Sequence, residues 1–248
     1  MAGGDETLVL YGVGSPNVVK VGILLEELGL PYELRYVAVF KGEQFKPELL
    51  AINPLGKVPV LVDPALGRPL YESGAILVYL AERSGQFLPA QGADRYEVIQ
   101  WVMVQMANIG PAFGQLNHFR NALQPGDEPY AKARFADQAE RLYRLLDDRL
   151  REHSWLAGGA YSIADMAVYP WSLYLERHGF PASEYPSLVR WRDTIAARPP
   201  VLRSQTRFQE AFAEPSDRDR RSASDADLDR LFGRGAAAPP KDYSRVRG

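Results

Sequence analysis

Cysteine is absent from this chain of 248 residues. Its absence excludes disulfide bonds, thiolate metal sites and a protein thiol as nucleophile. Any thiol chemistry must therefore use a thiol that the protein binds from outside. Histidine is also scarce, with three residues and no pair at the four-residue spacing of a helical metal site. We accordingly predict neither a metal site nor a Ser-His-Asp triad.

The chain also lacks an excess of charge of either sign and a long hydrophobic run. Its formal net charge is −2 and its pI is about 6.0, so no positive potential favours nucleic acid or an anionic membrane surface. No apolar run reaches the roughly 18 residues that a transmembrane helix needs. The first six residues lack the basic-then-apolar order of a signal peptide. We expect a cytoplasmic protein with no nucleic-acid or membrane partner.

The first part of the chain alternates between strand and helix patterns. Its predicted elements are strand, helix, strand, short helix, strand, strand and helix, at residues 7–12, 16–28, 32–37, 45–52, 58–62, 69–71 and 73–84. Residues 86–93 are predicted to form a linker.

From residue 94 onward, apolar residues recur three and four positions apart, which predicts helices. Ser162 and Asp165 have the spacing of a capping box at the start of one of them. After residue 213 the composition changes, and 14 of the 33 residues from 216 to 248 are charged. We predict a charged tail at residues 214–248 that is disordered or lies on the surface. One short docking helix around Leu228, Leu231 and Phe232 is the alternative.

Residues 53–61 and the Glu72-Ser73 pair together indicate a peptide-binding edge. Proline lacks an N–H, so Val58-Pro59 at the start of an apolar run predicts a cis bond that opens a strand. The N–H and C=O of Val58 would then be free to pair with an extended ligand. Ser73 opens an apolar run of helical length, which places its hydroxyl and unpaired backbone N–H groups at a positive helix end. Such an end favours a carboxylate.

These motifs, taken with Leu10-Tyr11, Ser15-Pro16-Asn17 and residues 42–45, resemble the glutathione transferase superfamily over residues 7–213. They are most similar to the bacterial nu class and its fungal nitrogen-regulator relatives. The resemblance implies an α/β thioredoxin-like N-terminal domain at residues 1–86 and an all-α C-terminal helical domain at residues 94–213. It also implies a homodimer that uses glutathione as cosubstrate, with two molecules or one glutathione disulfide per site.

The resemblance assigns each part of glutathione to particular residues. Ser73 would bind the γ-glutamyl carboxylate, Glu72 the amine and Val58 the cysteinyl backbone. Lys57 and Gln44 would bind the glycyl end. The alternatives are that Ser73 merely caps its helix and that Lys57 is a solvated surface charge.

The thiol needs neighbours that favour its anion, because a free thiol has a pKa of about 8.5 and reacts as the thiolate. Ser15 and Asn17 lie at the predicted N-terminus of the first helix, where the macrodipole and side-chain donors favour negative charge. The matching nu-class residues, a threonine and an asparagine, contact the thiol region. We therefore predict Asn17 and Ser15 as catalytic residues, with helix capping as the alternative. Tyr11, which matches the catalytic tyrosine of other classes, is predicted to face away from the thiol.

Two further residues come from the predicted helical domain. Arg134 matches a nu-class arginine that reaches the ligand, and a guanidinium suits a carboxylate. Gln105 lies on the helix that faces the partner subunit's glutathione in the family. A solvated charge and a polar surface residue are the respective alternatives.

The cysteine-free chain and the nu-class resemblance predict a glutathione-dependent disulfide reductase that acts on small-molecule or protein disulfides. Conjugation of glutathione to electrophiles is the competing enzymatic activity. A non-catalytic regulatory protein on the same fold is the third hypothesis.

Overall fold

We describe a computed structural model of the chain, in which residues 7–157, 159–235 and 241–248 are described. It divides into two compact units. The first unit contains the described residues up to Ile76 and those from Arg203 onward, and the second unit is Leu77–Leu202. Both divisions fall inside helices rather than at the predicted linker, because the helices over residues 73–84 and 199–221 continue unbroken through them.

The first unit is built on a four-stranded mixed sheet. Its strands are β1 (Leu8–Gly12), β2 (Tyr32–Tyr36), β3 (Val60–Val62) and β4 (Leu70–Tyr71), in the spatial order β2-β1-β3-β4. β1 is parallel to β2 and antiparallel to β3, and β3 is antiparallel to β4. The helices between and after these strands are α1 (Pro16–Glu27), α2 (Pro47–Ile52) and α3 (Ser73–Ser84). The predicted α/β order is confirmed.

The turn from β1 into α1 depends on a glycine. A Cβ atom at Gly12 would lie only 2.3 Å from Cγ1 of Val18, so a larger residue would force the strand and helix apart. Leu8 and Leu10 alternate with half-buried residues along β1 and point into the core with Val18. The start of α1 is thereby held against the end of β1.

Helices are the only regular secondary structure among the described residues of the second unit, which confirms the predicted all-α domain. Its helices are α4 (Ala93–Val104), α5 (Gly110–Asn117), α6 (Pro129–Glu152), α7 (Ile163–Ser172) and α8 (Pro186–Ala196), with π-helical turns at Gln105–Ile109 and His118–Ala122. No helix among the described residues is long and apolar enough to span a membrane.

The predicted capping box at the start of α7 is present, and Asp165 accepts further hydrogen bonds beyond it. Ser162 Oγ accepts a hydrogen bond from the Ala164 N–H at 3.2 Å, and Asp165 Oδ2 accepts one from the Ser162 N–H at 3.0 Å. Asp165 Oδ1 also accepts from the Leu156 N–H at 3.0 Å and from Trp191 Nε1 at 2.9 Å. Burial raises the pKa of Asp165 to about 6, and these hydrogen bonds oppose the shift.

The C-terminal part of the chain contains the short helix around Leu228 that was the alternative to a disordered or surface-lying tail. It forms the end of α9 (Pro199–Arg221), then α10 (Asp225–Leu231) and α11 (Ser244–Arg247), as part of the first unit. Leu228 and Tyr243 are buried. The charged residues pair with one another, so that few apolar side chains suffice for packing: Asp229 accepts from the Tyr243 hydroxyl at 2.7 Å and from Arg234 at 2.6 Å.

Candidate functional site

The peptide edge at Val58 lies immediately before β3. The Val58-Pro59 bond is cis, as the sequence predicted, and β3 begins at Val60. Among the described residues, neither the N–H nor the C=O of Val58 makes a hydrogen bond. Val58 therefore presents a donor and an acceptor to which an extended peptide can pair.

Asn53 shapes the loop that presents Lys57 and Val58. Its buried side chain donates from Nδ2 to the Lys57 carbonyl at 2.8 Å and accepts from the Leu55 N–H at 3.0 Å. The second of these bonds is an Asx turn, which stiffens a loop locally. The Lys57 side chain remains exposed beyond it.

Glu72 and Ser73 form the beginning of α3. Glu72 has a left-handed backbone with φ 67°, a conformation that costs a non-glycine residue about 1–3 kcal/mol. Its carbonyl accepts the N–H of Ile76 at 3.0 Å, and Ser73, the first helical residue, is only 3% exposed. The exposed Glu72 carboxylate thus lies beside the positive end of α3. A ligand group that carries both an amine and a carboxylate would find complementary charges there.

Lys20 is a buried cation of α1 in the electrostatic range of Glu72. Its side chain is fully buried, and burial lowers the pKa of Lys20 to about 7, while the Glu72 carboxylate opposes the shift. The sequence analysis assigned no role to Lys20. The signal that could have revealed it is a lysine inside the apolar pattern of a helix, between Val19 and Val21.

Ser15 and Asn17 stand at the start of α1 without capping it through their side chains. Ser15 occupies the N-cap position, yet no side-chain capping hydrogen bond forms within the described residues. Asn17 Oδ1 is buried and has no hydrogen-bond partner in the same part of the chain. A buried unsatisfied oxygen costs about 1–3 kcal/mol, so a ligand donor would be favourable at this position. The capping alternative is thus not seen for either side chain among the described residues, and the catalytic role of Ser15 and Asn17 stays a prediction.

Gln44 is the second buried amide whose oxygen lacks a partner. It is 4% exposed, and no group of the described residues donates to its Oε1. The segment that carries it packs against Gly56: a Cβ atom there would lie 3.4 Å from the Gln44 carbonyl oxygen and 2.7 Å from Cδ1 of Phe45. Gln44 is thereby brought next to the residue that precedes Lys57, as expected if both contact one end of a ligand.

Tyr11 is engaged elsewhere. Arg35, its pairing partner on β2, donates from Nη1 to the Tyr11 hydroxyl at 2.8 Å, and its guanidinium carbon lies 5.4 Å from the centre of the Tyr11 ring. Arg35 is also held by Glu33 at 2.8 Å. In this bond the Tyr11 oxygen acts as acceptor, so the prediction that Tyr11 is not the group that activates a thiol stays a prediction.

The second unit contains Arg134 and Gln105. Arg134 is exposed in the second turn of α6, where its guanidinium is accessible to a ligand. Gln105 is only 1% exposed, and its Nε2 would be 2.9 Å from a Cβ atom at Gly110. It is therefore packed within its own unit rather than being the polar surface residue of the alternative hypothesis, and its contact with a partner subunit's ligand stays a prediction.

The residues of the first unit thus offer a set of groups that matches a short peptide. They comprise a free backbone pair, a helix N-terminus beside a carboxylate, an exposed ammonium and two buried amides. No three histidine, aspartate or glutamate side chains of the described residues cluster as a metal site requires.

Comparison with known families identifies this arrangement. The model of the glutathione S-transferase N-terminal domain matches residues 14–83, and that of the glutathione S-transferase C-terminal domain matches residues 99–199. The chain belongs to the glutathione S-transferase family. The fold and the family that the motifs predicted are both confirmed.

Individual relatives extend over most of this glutathione S-transferase. The disulfide-bond oxidoreductase YfcG of Escherichia coli (strain K12) is 42% identical over 195 residues, covering 77% of this chain and 90% of the relative. A glutathione transferase structure from Pseudomonas putida, with one glutathione disulfide bound per subunit, is 38% identical with a TM-score of 0.76, covering 82% of this chain and 92% of that one. A family member from Pseudomonas fluorescens with two glutathione bound is 40% identical with a TM-score of 0.75, covering 82% and 94%.

Proposed function

We propose that this glutathione S-transferase is a glutathione-dependent disulfide reductase of the nu-class type. The observation that carries the proposal is the start of α1, where neither the Ser15 nor the Asn17 side chain is used to cap the helix among the described residues, in a chain that has no cysteine. Such a chain needs an external thiol and a polar group to receive it. The name of the Escherichia coli relative, a disulfide-bond oxidoreductase, supports this reaction class over others within the family.

The proposed binding roles follow the charges of the first unit. Glu72 binds the amine of the γ-glutamyl group and Ser73 its carboxylate, at the positive end of α3. The free N–H and C=O of Val58 pair with the cysteinyl unit. Lys57 attracts the glycyl carboxylate electrostatically, and the Gln44 oxygen accepts the glycyl N–H.

Glutathione supplies the thiol: two molecules reduce one disulfide to two thiols and leave as glutathione disulfide, which is a balanced exchange. Asn17 and Ser15 donate hydrogen bonds to sulfur at the start of α1, where the helix dipole also favours the anion. Accommodation of two glutathione molecules or one disulfide in one site agrees with the ligands bound to the two Pseudomonas relatives.

The proposal includes a cytoplasmic homodimer. Tyr96 and Met103 of α4 are 71% and 50% exposed, and large apolar side chains on one helix are typical of a surface that another chain covers. Light scattering at micromolar concentration should give about twice the chain mass of 27.7 kDa. Arg134 is proposed to contact the glutathione carboxylate, and Gln105 the ligand of the partner subunit.

The decisive experiment compares two activities of the purified protein. Reduction of 2-hydroxyethyl disulfide by glutathione should be faster than conjugation of glutathione to 1-chloro-2,4-dinitrobenzene at matched concentrations. Faster conjugation would make transferase chemistry the better reading. Glutathione binding without either activity would favour a regulatory role.

A further inference from the structure

The loop that carries Gln44 consists of two short 3-10 turns, Val39–Lys41 and Glu43–Phe45, joined by Gly42 in a left-handed conformation with φ 72°. Within the loop, Glu43 Oε2 accepts the N–H of Ala38 at 2.6 Å. This bond shapes the turn locally but does not attach the loop to the rest of the first unit. Other contacts therefore decide where the loop stands.

One side of the loop is held by the C-terminal segment, which we define as the C-terminal brace, residues 222–235 and 241–248. Helix α10 packs against the turn Val39–Lys41. The Lys41 ammonium donates to the carbonyl of Ser222 and lies within electrostatic range of the Asp227 carboxylate. Arg230 covers Gly42 so closely that a Cβ atom there would be 2.8 Å from its Nη1.

The brace is stabilised by contacts among its own residues, so it can hold the loop in position. Ser224 Oγ accepts the Asp227 N–H at 3.1 Å, and Asp227 Oδ2 accepts the Ser224 N–H at 3.0 Å, which caps α10. Leu228 is fully buried, and Tyr243 is buried beside the Phe232 ring with 5.6 Å between ring centres. Arg247 of α11 donates to the Ala223 carbonyl at 3.0 Å and to the Asp225 carboxylate at the start of α10.

On its other side, the loop packs beside the residues that are proposed to bind the glycyl end of glutathione. Phe45 lies on Gly56, and Gly56 precedes Lys57. Gln44 itself is almost completely buried, with its Oε1 unpaired among the described residues. A shift of the loop would therefore displace the Gln44 amide and loosen the packing beside Lys57 together.

We infer that the C-terminal brace is a positioning element for the glycyl subsite: by clamping Lys41 and Gly42, it holds Gln44 where it meets the glycyl end of glutathione. This inference rests on the proposed function. It assigns the brace a specific part of the ligand, because the loop that α10, Ser222 and Arg230 contact is the loop that carries Gln44.

Calorimetric titration with two ligands tests the inference in the full-length protein. Glutathione contains the glycyl unit, and γ-glutamylcysteine lacks it. Leu228→Ala loosens the docking of α10, and Lys41→Met removes the bond to the brace from the loop side without opening a buried core. Each variant should bind glutathione about five- to tenfold more weakly and γ-glutamylcysteine with unchanged affinity, as expected for loss of one pre-organised contact.

Arg221→Ala is the matched control. It removes a charge next to the brace whose ion pair, within the described ranges, is an exposed one with Asp217, and both affinities should stay at their wild-type values. Thermal melts identify variants that fail to fold, in which case Lys41→Met decides.

Equal losses of affinity for both ligands, or unchanged glutathione affinity in Lys41→Met, would overturn the inferred role of the brace. Neither result would contradict the proposed function. A wild-type protein that binds neither ligand would overturn the proposed function and the brace with it.

Discussion

Helices α1 and α7 each follow an N-cap serine with a second polar residue shortly after it, and they use these groups in opposite ways. At α7, the side chains of Ser162 and Asp165 accept hydrogen bonds from four N–H groups of their own unit. At α1, Ser15 makes no side-chain capping bond and the Asn17 oxygen is buried without a partner within the described residues. The start of α7, whose polar groups are paired, is therefore structural. The start of α1 retains an oxygen to which a ligand can donate a hydrogen bond.

The largest effect should come from Asp165→Ala. It removes an acceptor from the N–H of Leu156, the N–H of Ser162 and the indole of Trp191, all in a buried setting. We expect the free energy of unfolding to fall by about 3 kcal/mol or more, measured by urea denaturation. Glutathione affinity of the folded fraction should be retained. A loss below about 1 kcal/mol would contradict the structural reading of this cap.

Ser73→Ala tests the binding end of the proposed site. Its hydroxyl meets a charged carboxylate in the proposed complex, so its loss should weaken glutathione binding by about 1–3 kcal/mol in calorimetry. Ser84→Ala, at the other end of the same helix, is the matched control, because its hydroxyl donates only to the Ala81 carbonyl and accepts from Gln86. Equal glutathione affinities of Ser73→Ala and wild type would contradict the assignment of Ser73 to the γ-glutamyl carboxylate.

If the starts of α1 and α7 differ in this way, Asn17→Ala should have the opposite effects to Asp165→Ala. Deletion of an amide whose oxygen is unsatisfied should leave unfolding nearly unchanged, yet lower the disulfide reductase rate about tenfold, equivalent to about 1.4 kcal/mol. Tyr11→Phe is the control and should keep the rate if Asn17 and Ser15, rather than the Tyr11 hydroxyl, stabilise the thiolate. A large loss in Tyr11→Phe with a normal Asn17→Ala would indicate a tyrosine-type mechanism instead.

The smallest effect concerns pH and the buried cation Lys20. Because burial lowers the pKa of Lys20 from 10.5 to about 7, the unfolded chain binds the extra proton between these values. The contribution of Lys20 to stability is therefore present above pH 10.5 and is lost as the pH falls toward 7.

Wild type should accordingly gain stability relative to Lys20→Met, by about 1 kcal/mol or more, as the pH rises from about 7 to about 9. Urea denaturation across this range measures the free energy of unfolding of both proteins. The difference between the two values cancels the titration of the groups that both proteins share. A difference that does not change with pH would show that Lys20 remains protonated throughout.

Much of the first unit could be predicted from local patterns. The strand at residues 7–12, the proline at the start of α1 and the cis bond before Pro59 each follow from the chemistry of a few neighbouring residues. The spacing of Ser162 and Asp165 likewise predicted their capping box. The start of β3 was placed two residues early, since an apolar run does not show where sheet pairing begins.

Composition misled most at the C-terminal end. Few apolar residues and many charges predicted a tail with no packed core, but Asp229, Arg234 and Tyr243 satisfy one another and bury one aromatic ring. Pairing of this kind joins residues 229 and 243 across a long sequence separation, so no local window contains it. The burial of Gln105 escaped prediction for the same reason.

By itself, the sequence determined the family, the order of strands and helices, and the residue types available to a thiol peptide, because these depend on short motifs and on the absence of cysteine. Only the tertiary structure decided which polar groups are left unpaired. It showed that the Asn17 and Gln44 oxygens find no partner in the described part of the chain, that Lys20 is buried within the electrostatic range of Glu72, and that the C-terminal brace contacts the Gln44 loop. Hydrogen-bond satisfaction is a property of the whole fold, since any distant segment can supply or withhold the partner.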